Sequence, residues 1–320
     1  MRANGISGSL ATCRFLSRMI RLMCGPTANI SSSTTAAGPL SSPAFRLIIF
    51  PRRVNCGAIR CTIGTGCRAD NFQWWIERVR WSLELFDLLR VDHFRGFAAC
   101  WEIPAGEVTA QNGEWVDTPG HELFATLKKT LGDLPIIAEN LGVITPGVEN
   151  LRKEFGFPGM RVLQFAFGGD ATNDHLPHNH TRDAVVYTGT HDNDTTVGWF
   201  EGLATDEREF CLKYLASNAR EINWDMIRAA MASVADTAII PMPDLVGLGT
   251  EARMNVPASE IGNWAWRMNA NAITDDLIHR LKALAEMLRK KDGLNHHRRA
   301  ERRWVPNVYS RNRRPIFFVP

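Results

Sequence analysis

The sequence predicts an α/β fold built around a parallel sheet, and three observations lead to this fold class. The chain has 320 residues, of which 45% are hydrophobic and 22% are charged, a composition typical of a folded globular protein. From Arg68 onward, short apolar segments alternate with segments of helical periodicity. The apolar segments are continuous, which indicates strands covered by helices on both faces of a sheet.

The predicted elements follow one another in a regular order after a helical stripe within residues 71–89. Five strand candidates are Phe86–Val91, Leu134–Ala138, Met160–Phe165, Ala184–Thr188 and Thr237–Pro241. The helix candidates are roughly Glu122–Leu131, Pro146–Glu154, Asp206–Ser217, Asp225–Val234 and Thr274–Lys290. No G-x-G-x-x-G loop follows a strand, which disfavours a dinucleotide-binding fold. Part of a (β/α)₈ barrel and a doubly wound sheet both fit this order of elements.

Basic residues and cysteines are concentrated at the ends of the chain. Residues 1–67 contain eight Arg and five of the seven Cys but no acidic residue, and residues 295–320 contain seven Arg and one Glu. Residues 68–294 therefore carry a formal net charge of −11, although the whole chain carries +3. No aromatic-basic or helix-turn-helix motif accompanies the basic ends, and no apolar stretch has membrane-spanning length. We therefore expect neither a nucleic-acid partner nor a membrane partner.

The compartment is predicted from the cysteine count and from the N-terminal composition. Seven is an odd number of cysteines, which argues against a disulfide framework and favours a reducing compartment, the cytoplasm. Residues 1–67 are rich in Arg and Ser and lack acidic residues, so an organellar transit peptide is the alternative.

Carboxylates follow three of the strand candidates: Asp92, Glu139 and Asp192. Catalytic groups of a barrel lie at the C-terminal ends of its strands, and such carboxylates suit glycosidic bond chemistry. Arg90 lies two residues before Asp92, so both side chains share one face, where the guanidinium would keep the carboxylate ionised. A turn or helix-capping role is the alternative for each carboxylate alone, but three successive strand ends favour catalysis.

Histidines and tryptophans supply further candidates. The segment from His191 to Asp194 could bind a divalent ion, but no second ligand cluster accompanies it, so no metal site is predicted. Trp101 and Trp115 are expected in a loop, where they could stack on sugar rings or pack against the protein. Five other tryptophans are expected in the core: Trp74, Trp75, Trp81, Trp264 and Trp266.

Three longer segments are similar to the signature motifs of one enzyme family: Arg90–Gly96, Ala138–Gly142 and Thr188–Thr195. Supporting similarity extends over Trp101–Ala105, Pro158–Phe167, Leu176–Asn179, Arg253–Pro257 and Asn263–Arg267. The chain from about residue 68 to 290 resembles, in the same order, the 4-α-glucanotransferases. These are the amylomaltases or disproportionating enzymes of glycoside hydrolase family 77, relatives of the α-amylases.

The resemblance implies a reaction and a role for each site residue. Asp92 corresponds to the nucleophile, Glu139 to the general acid/base, and Asp192 to a third carboxylate that holds the sugar. Arg90 and His191 correspond to polar supports, and Asn255 and Trp101 are expected to contact substrate. The implied reaction is retaining transfer of α-1,4-glucan segments to a 4-hydroxyl of glucose or another glucan, without a cofactor. The implied partners are malto-oligosaccharides, and the oligomeric state stays open.

The resemblance also implies how the chain is organised. Residues 68–294 correspond to the C-terminal portion of a (β/α)₈ barrel, about strands 4–8. Residues 1–67 resemble nothing in the family, and a synonymous back-translation of residues 56–67, read two bases later, yields the family's typical lead into Arg68. We therefore expect 1–67 to be poorly ordered or frame-shifted and 295–320 to be a disordered basic tail. There are two alternatives to an active transferase. The chain could be a truncated, inactive and poorly soluble fragment of such an enzyme, or it could be an α-1,4-glucan hydrolase.

Overall fold

The computed structural model describes residues 45–46, 65–103, 111–259, 261–288 and 316–319. The chain divides into two compact units: an N-terminal unit that ends at Phe157 and a C-terminal unit that begins at Pro158. The interpretations of residues 1–67 and 295–320 concern segments that lie almost entirely outside the described residues. Among the helices of the described ranges, none has the length and apolar character needed to cross a membrane.

The N-terminal unit combines a pair of parallel strands with an antiparallel sheet and flanking helices. Its elements are β1 (Phe45–Arg46), α1 (Thr65–Ala69), α2 (Gln73–Leu85), β2 (Leu89–Val91), β3 (Ala99–Ile103), β4 (Glu114–Asp117), α3 (Gly120–Leu131), β5 (Ile136–Ala138) and α4 (Pro146–Glu154). Strands β2 and β5 pair in parallel, whereas β3 pairs antiparallel with both β1 and β4. A 3₁₀ turn at Phe94–Phe97 connects β2 to β3.

Aromatic packing fixes the segment that follows β2. Phe94 is fully buried, and its ring lies 5.5 Å from that of Phe124 on α3 and 6.1 Å from that of Phe157. Helix α2 adds Trp75 and Ile76 to the same core. Ring pairs at these distances contribute packing energy beyond their buried area, so the residues next to Phe94 are held on a rigid support.

The C-terminal unit is a parallel sheet with helices and turns between its strands. Its elements are β6 (Gly159–Val162), β7 (Ala184–Tyr187), α5 (Thr196–Glu201), α6 (Thr205–Leu215), α7 (Ile222–Ala232), β8 (Thr237–Pro241), α8 (Met242–Val246), α9 (Asp275–Met287) and β9 (Ile316–Val319). The strand order is β6-β7-β8-β9, and all three pairings are parallel. All four residues of β7 are buried, as expected for a strand covered on both faces.

The predicted parallel pairing is confirmed within each unit, and several predicted bounds agree with the structure. Strand β8 and helix α4 have the predicted limits. The predicted strand Met160–Phe165 is wrong in its second half, because Leu163–Phe165 form a 3₁₀ turn that buries Leu163 and Gln164. The helix predicted from the apolar stripe within 71–89 ends at Leu85, because the backbone becomes extended at the next residue.

Two expectations about tryptophans were wrong. Trp101 and Trp115 lie on paired antiparallel strands, not in a loop, and face each other across the β3–β4 hairpin. Trp75 is in the core, but Trp74 and Trp81 are 38% and 64% exposed. The buried stripe of α2 passes through residues 75, 76, 79 and 82, so the other two indoles extend from the opposite side of the helix.

Candidate active site

Asp92 and Glu139 lie side by side at the carboxyl ends of two neighbouring strands. Strands β2 and β5 pair in register up to Val91 and Ala138, and each carboxylate is the next residue. The pairing continues past the strands, since the Glu139 N–H donates to the Val91 carbonyl at 3.0 Å. Adjacent strands are about 4.8 Å apart, so the backbone places the two side chains next to each other.

A buried guanidinium connects the two carboxylates. The Arg90 side chain is only 7% exposed, and its Nη2 lies 2.9 Å from Asp92 Oδ1 and 3.7 Å from Glu139 Oε1. Because Asp92 Oδ1 and Glu139 Oε1 both lie close to one nitrogen atom, the two carboxylates are neighbours. The expectation that Arg90 and Asp92 share a face of the strand is confirmed.

His93 supplies a backbone donor to Glu139. Its φ angle of 47° lies in the left-handed region, which is uncommon for a residue other than glycine. In this conformation its backbone N–H donates to Glu139 Oε2. Sequence reasoning missed this contact, because a main-chain donor depends on local backbone geometry and not on residue type.

The environment raises the pKa of Glu139 from its ordinary value of 4.5 to about 8. Burial of the carboxyl is the largest cause, and the negative charge of Asp92 acts in the same direction. The positive charge of Arg90 and the His93 N–H oppose the shift but do not cancel it. Glu139 therefore holds a proton at neutral pH, beside a second carboxyl group paired with an arginine.

A hairpin carries aromatic side chains in the same unit. The Trp101 and Trp115 rings lie 5.5 Å apart in an edge arrangement, and Trp115 is 48% exposed. The Arg95 guanidinium lies 3.9 Å from the centre of the Trp115 ring, a close cation–π contact. The exposed part of Trp115 and the half-buried Trp101 leave aromatic surface at which a sugar ring could stack.

Asp192 lies in the segment after β7, in the C-terminal unit, where two side chains contact its carboxylate. Asn255 Nδ2 donates to Asp192 Oδ1 at 2.6 Å, and His191 Nε2 lies 3.3 Å from the same oxygen. Arg253 adds a brace, because its Nη2 donates to the Asp192 carbonyl at 2.8 Å and its Nε to the Asn255 carbonyl at 3.0 Å. The Asp192 side chain is 43% exposed and can reach a ligand.

Trp264 packs on His191. The two rings are 5.3 Å apart and inclined by 31°, and the indole residue has a left-handed φ of 61°. The backbone N–H of Trp264 donates to the Met254 carbonyl at 2.6 Å, which connects Trp264 to the segment that contains Asn255. Sequence reasoning placed Trp264 in the core, but the structure shows it half-buried against a candidate site residue.

The predicted site residues fall into two groups, one in each unit. Arg90, Asp92 and Glu139 are in mutual contact in the N-terminal unit, which also contains Trp101 on its hairpin. The C-terminal unit brings together His191, Asp192 and Asn255. No cluster of three or more metal-ligating side chains occurs among the described residues, the segment His191–Asp194 included.

These side chains suit transfer at an acetal carbon. An arginine-paired carboxylate can act as nucleophile, and a protonated carboxyl beside it can protonate a leaving oxygen. Retaining glycosidases use two neighbouring carboxyl groups in these roles, and here Arg90 contacts both carboxylates. The cluster of Asp192, His191 and Asn255 supplies donors and acceptors suited to sugar hydroxyls.

Comparison with known proteins gives consistent results. The sequence model of a family described as 4-alpha-glucanotransferase matches residues 65–273. A 4-alpha-glucanotransferase of Synechocystis sp. is 51% identical over 223 residues, which cover 69% of this chain and 44% of that protein. A chloroplastic/amyloplastic 4-alpha-glucanotransferase of Arabidopsis thaliana is 49% identical over 69% of this chain and 38% of its own length.

A solved structure agrees with the sequence relatives. The amylomaltase from Streptococcus agalactiae in complex with acarbose has a TM-score of 0.67 and 39% sequence identity, covering 71% of this chain and 46% of that chain. The chain thus spans less than half of the length of these three proteins.

Proposed function

Since the chain belongs to the 4-alpha-glucanotransferase family, we propose that it transfers segments of α-1,4-glucan to the 4-hydroxyl of glucose or of another glucan. The observation that carries the proposal is the contact of Asp92 and Glu139 through Arg90, with the pKa of Glu139 raised to about 8. This arrangement provides an arginine-paired carboxylate as nucleophile and the protonated acid that a retaining mechanism needs at neutral pH.

The first step forms a covalent glycosyl–enzyme intermediate. An Asp92 carboxylate oxygen attacks the anomeric carbon of the donor and forms an ester bond as the glycosidic C1–O4 bond breaks. Glu139 transfers its proton to the departing O4, which leaves as a free 4-hydroxyl, and becomes a carboxylate. Arg90 holds Asp92 in an ion pair, and its charge stabilises the ionised form of Glu139 after proton transfer.

The second step reverses the roles. The 4-hydroxyl of an acceptor glucan attacks the anomeric carbon, the ester bond to Asp92 breaks, and Glu139 takes the hydroxyl proton. Two inversions at the same carbon retain its configuration. If water attacks in place of the glucan, the product is a hydrolysed glucan.

The remaining predicted residues are proposed to hold substrate. Asp192, oriented by Asn255 and His191, would accept hydrogen bonds from sugar hydroxyls next to the scissile bond. Trp101, which faces Trp115 on the hairpin, would stack on a sugar ring. No step of this mechanism calls for a cofactor.

We propose the (β/α)₈ barrel as the architecture to which residues 68–294 contribute. The parallel pairing within each unit and the similarity to a solved amylomaltase support this architecture. A cytoplasmic location is proposed from the odd cysteine count, and the chloroplastic/amyloplastic relative keeps the organellar alternative open.

Product analysis on maltotriose tests the activity. The purified 320-residue chain is incubated with maltotriose, and the products are separated by anion-exchange chromatography. Transfer predicts malto-oligosaccharides longer than the substrate together with shorter sugars, and Asp92→Asn is expected to abolish them. Glucose and maltose alone would indicate a hydrolase, and no product at all would contradict the proposed activity for this chain.

Covalent trapping tests the assignment of the nucleophile. A malto-oligosaccharyl fluoride with a second fluorine at C5 of the donor ring reacts by loss of fluoride and forms a long-lived ester. Mass spectrometry of the digested protein is expected to find the sugar on the peptide that contains Asp92, and no label in Asp92→Asn. A label on any other carboxylate would show that Asp92 is not the nucleophile.

A further inference from the structure

A buried carboxylate of the C-terminal unit, that of Asp244, has no role in the mechanism above. Asp244 lies in α8, directly after β8, and is 1% exposed. One of its oxygens, Oδ2, accepts a hydrogen bond from Thr188 Oγ1. The other, Oδ1, accepts from the Thr196 backbone N–H at 2.6 Å. Each oxygen of a single carboxylate therefore has its own donor.

The two donors are the two ends of the segment that carries Asp192. Thr188 is the first residue after β7, and Thr196 is the first residue of α5. Both threonines are fully buried. Since the residues between them include His191 and Asp192, Asp244 ties the beginning and the end of this segment to one point.

Asp244 is itself held in place from α7. Asn223 Nδ2 donates to the Asp244 carbonyl at 2.9 Å, and the Gly247 N–H also reaches that carbonyl, at 3.2 Å. The middle of the segment has a separate support, because Gln164 Nε2 donates to the Asp194 carbonyl at 2.9 Å. The Asp244 carboxylate therefore contacts the two ends of the segment, whereas Gln164 supports its middle.

The chemistry of the carboxylate also points to a positioning role. Taking a carboxylate out of water is unfavourable unless hydrogen bonds compensate. Burial raises the pKa of Asp244, while the hydrogen bonds from Thr188 and Thr196 lower it. An asparagine or an apolar residue would avoid the burial penalty, but neither offers an acceptor to both donors at once.

We propose that Asp244 is a positioning residue, which clamps both ends of segment 188–196 and thereby fixes the location of the Asp192 carboxylate. The structural part of this inference concerns the C-terminal unit alone. Its consequence for turnover rests on the proposed glucan transfer.

Hydrogen exchange measured by mass spectrometry on the full chain tests the clamp without any activity assay. Asp244→Ala is expected to speed amide exchange in peptides that cover 188–196 by about tenfold or more, because the clamp closes the local opening that permits exchange. Thr188→Val, which keeps the side-chain shape but removes one donor, is expected to do the same to a smaller extent. Thr188→Ser, which keeps the hydroxyl, is expected to restore protection.

The matched control is Asp225→Asn in α7. Asp225 also accepts a hydrogen bond from a hydroxyl, that of Ser217, and pairs with Arg228 of its own helix. It is expected to leave exchange in that segment and the transfer activity unchanged. The proposal would be overturned if Asp244→Ala and Thr188→Val both left exchange in 188–196 at the wild-type rate. It would also be overturned if Thr188→Val accelerated exchange equally throughout the C-terminal unit.

The kinetic consequence separates the clamp from the proposed function. For Thr188→Val on maltotriose, kcat is expected to fall on the order of tenfold to a hundredfold with a smaller change in KM, as for a misplaced group in the reacting complex. If the wild-type chain shows no transfer, the proposed function fails, whereas the exchange result still decides the clamp. Faster exchange with unchanged kcat would contradict the role in positioning Asp192.

Discussion

The environment of Glu139 opposes the ordinary ionisation state of its carboxyl, and this has a consequence for stability. In the unfolded chain the carboxyl loses its proton near its ordinary pKa of 4.5, whereas in the folded state the pKa is about 8. Between these pH values the folded state binds one more proton at this carboxyl than the unfolded state does. The free energy of unfolding therefore falls as pH rises through this window, by up to about 1.4 kcal/mol per pH unit from this group.

Glu139→Gln is expected to remove that pH dependence. The amide stays neutral, so the variant should be more stable than the wild type, and by more at pH 8 than at pH 5. Urea denaturation followed by circular dichroism at both pH values measures the difference. Glu84→Gln, the same change at an exposed position of α2, is the matched control. An equal stability difference at the two pH values would show that Glu139 is not held protonated.

Asp92 is expected to contribute to the pKa of Glu139 in a measurable way. Its charge and its hydrogen bond to Glu139 both raise that pKa, whereas Arg90 lowers it. Asp92→Asn removes the charge and keeps Arg90, so the pKa of Glu139 should fall below about 8. Carbon-13 NMR titration of the Glu139 carboxyl, assigned with the Glu139→Gln variant, measures the shift. Asp87→Asn, an exposed change just before the strand, serves as control; an unchanged or higher pKa in Asp92→Asn would contradict the assignment of causes.

At the residue scale, the sequence indicated the side chains but not the main-chain and buried polar contacts. Asp92 and Glu139 follow apolar strands, so their position could be predicted from pattern alone. The His93 N–H and the Asp244 clamp could not, because each depends on a backbone conformation or on donors 48 and 56 residues away in the chain. The simplest interpretation of a lone aspartate after a strand is a helix cap.

At the scale of elements, helix α3 depends on the absence of a side chain at its first residue. A Cβ atom at Gly120 would lie 1.9 Å from the Phe97 carbonyl oxygen, which belongs to the backbone of the turn after β2. Gly120→Ala is therefore expected to lower the free energy of unfolding of the N-terminal unit by about 1–3 kcal/mol or more. Urea denaturation measures the change.

Gly147 in helix α4 provides the matched control for that substitution. The nearest atom to a Cβ there, Thr145 Oγ1, is 3.9 Å away, so the space is open. Gly147→Ala is expected to stabilise the unit by about 0.5–1 kcal/mol, because alanine loses less backbone entropy in a helix. A Gly120→Ala variant as stable as the wild type would show that α3 can shift away from the turn without loss.

Elements with continuous apolar runs could be predicted, and short or locally irregular ones could not. Strand β8 and helix α4 stand out by pattern, since one is a compact apolar run and the other has Pro at its first position. The β3–β4 hairpin has only four- and five-residue strands of mixed polarity, and its pairing is a tertiary contact that no local period reveals. Helices α5 and α8 are six and five residues long, too short to show a helical period.

At the scale of the whole molecule, the apolar composition of the strands predicts the fold class. The carboxylates that follow the strands indicate the kind of reaction. The parallel pairing within each unit follows from buried, unbroken apolar strands such as β7. The division of the predicted site residues between two units could not be predicted from pattern, because the boundary after Phe157 lies in a short Gly/Pro turn at 156–159, and such turns also join elements within one domain.

The proposed mechanism makes the pH dependence of turnover depend on the leaving group of the donor. With maltotriose, formation of the ester needs the proton of Glu139, so kcat/KM is expected to fall about tenfold per pH unit above a pKa near 8. With α-maltosyl fluoride, fluoride departs without protonation, so kcat/KM for the same step should not fall with the ionisation of Glu139. Initial rates for both donors from pH 6 to about pH 10 compare the two profiles, with Glu84→Gln again as control. A parallel decline for both donors would mean that another group, not the proton on Glu139, controls the alkaline limb.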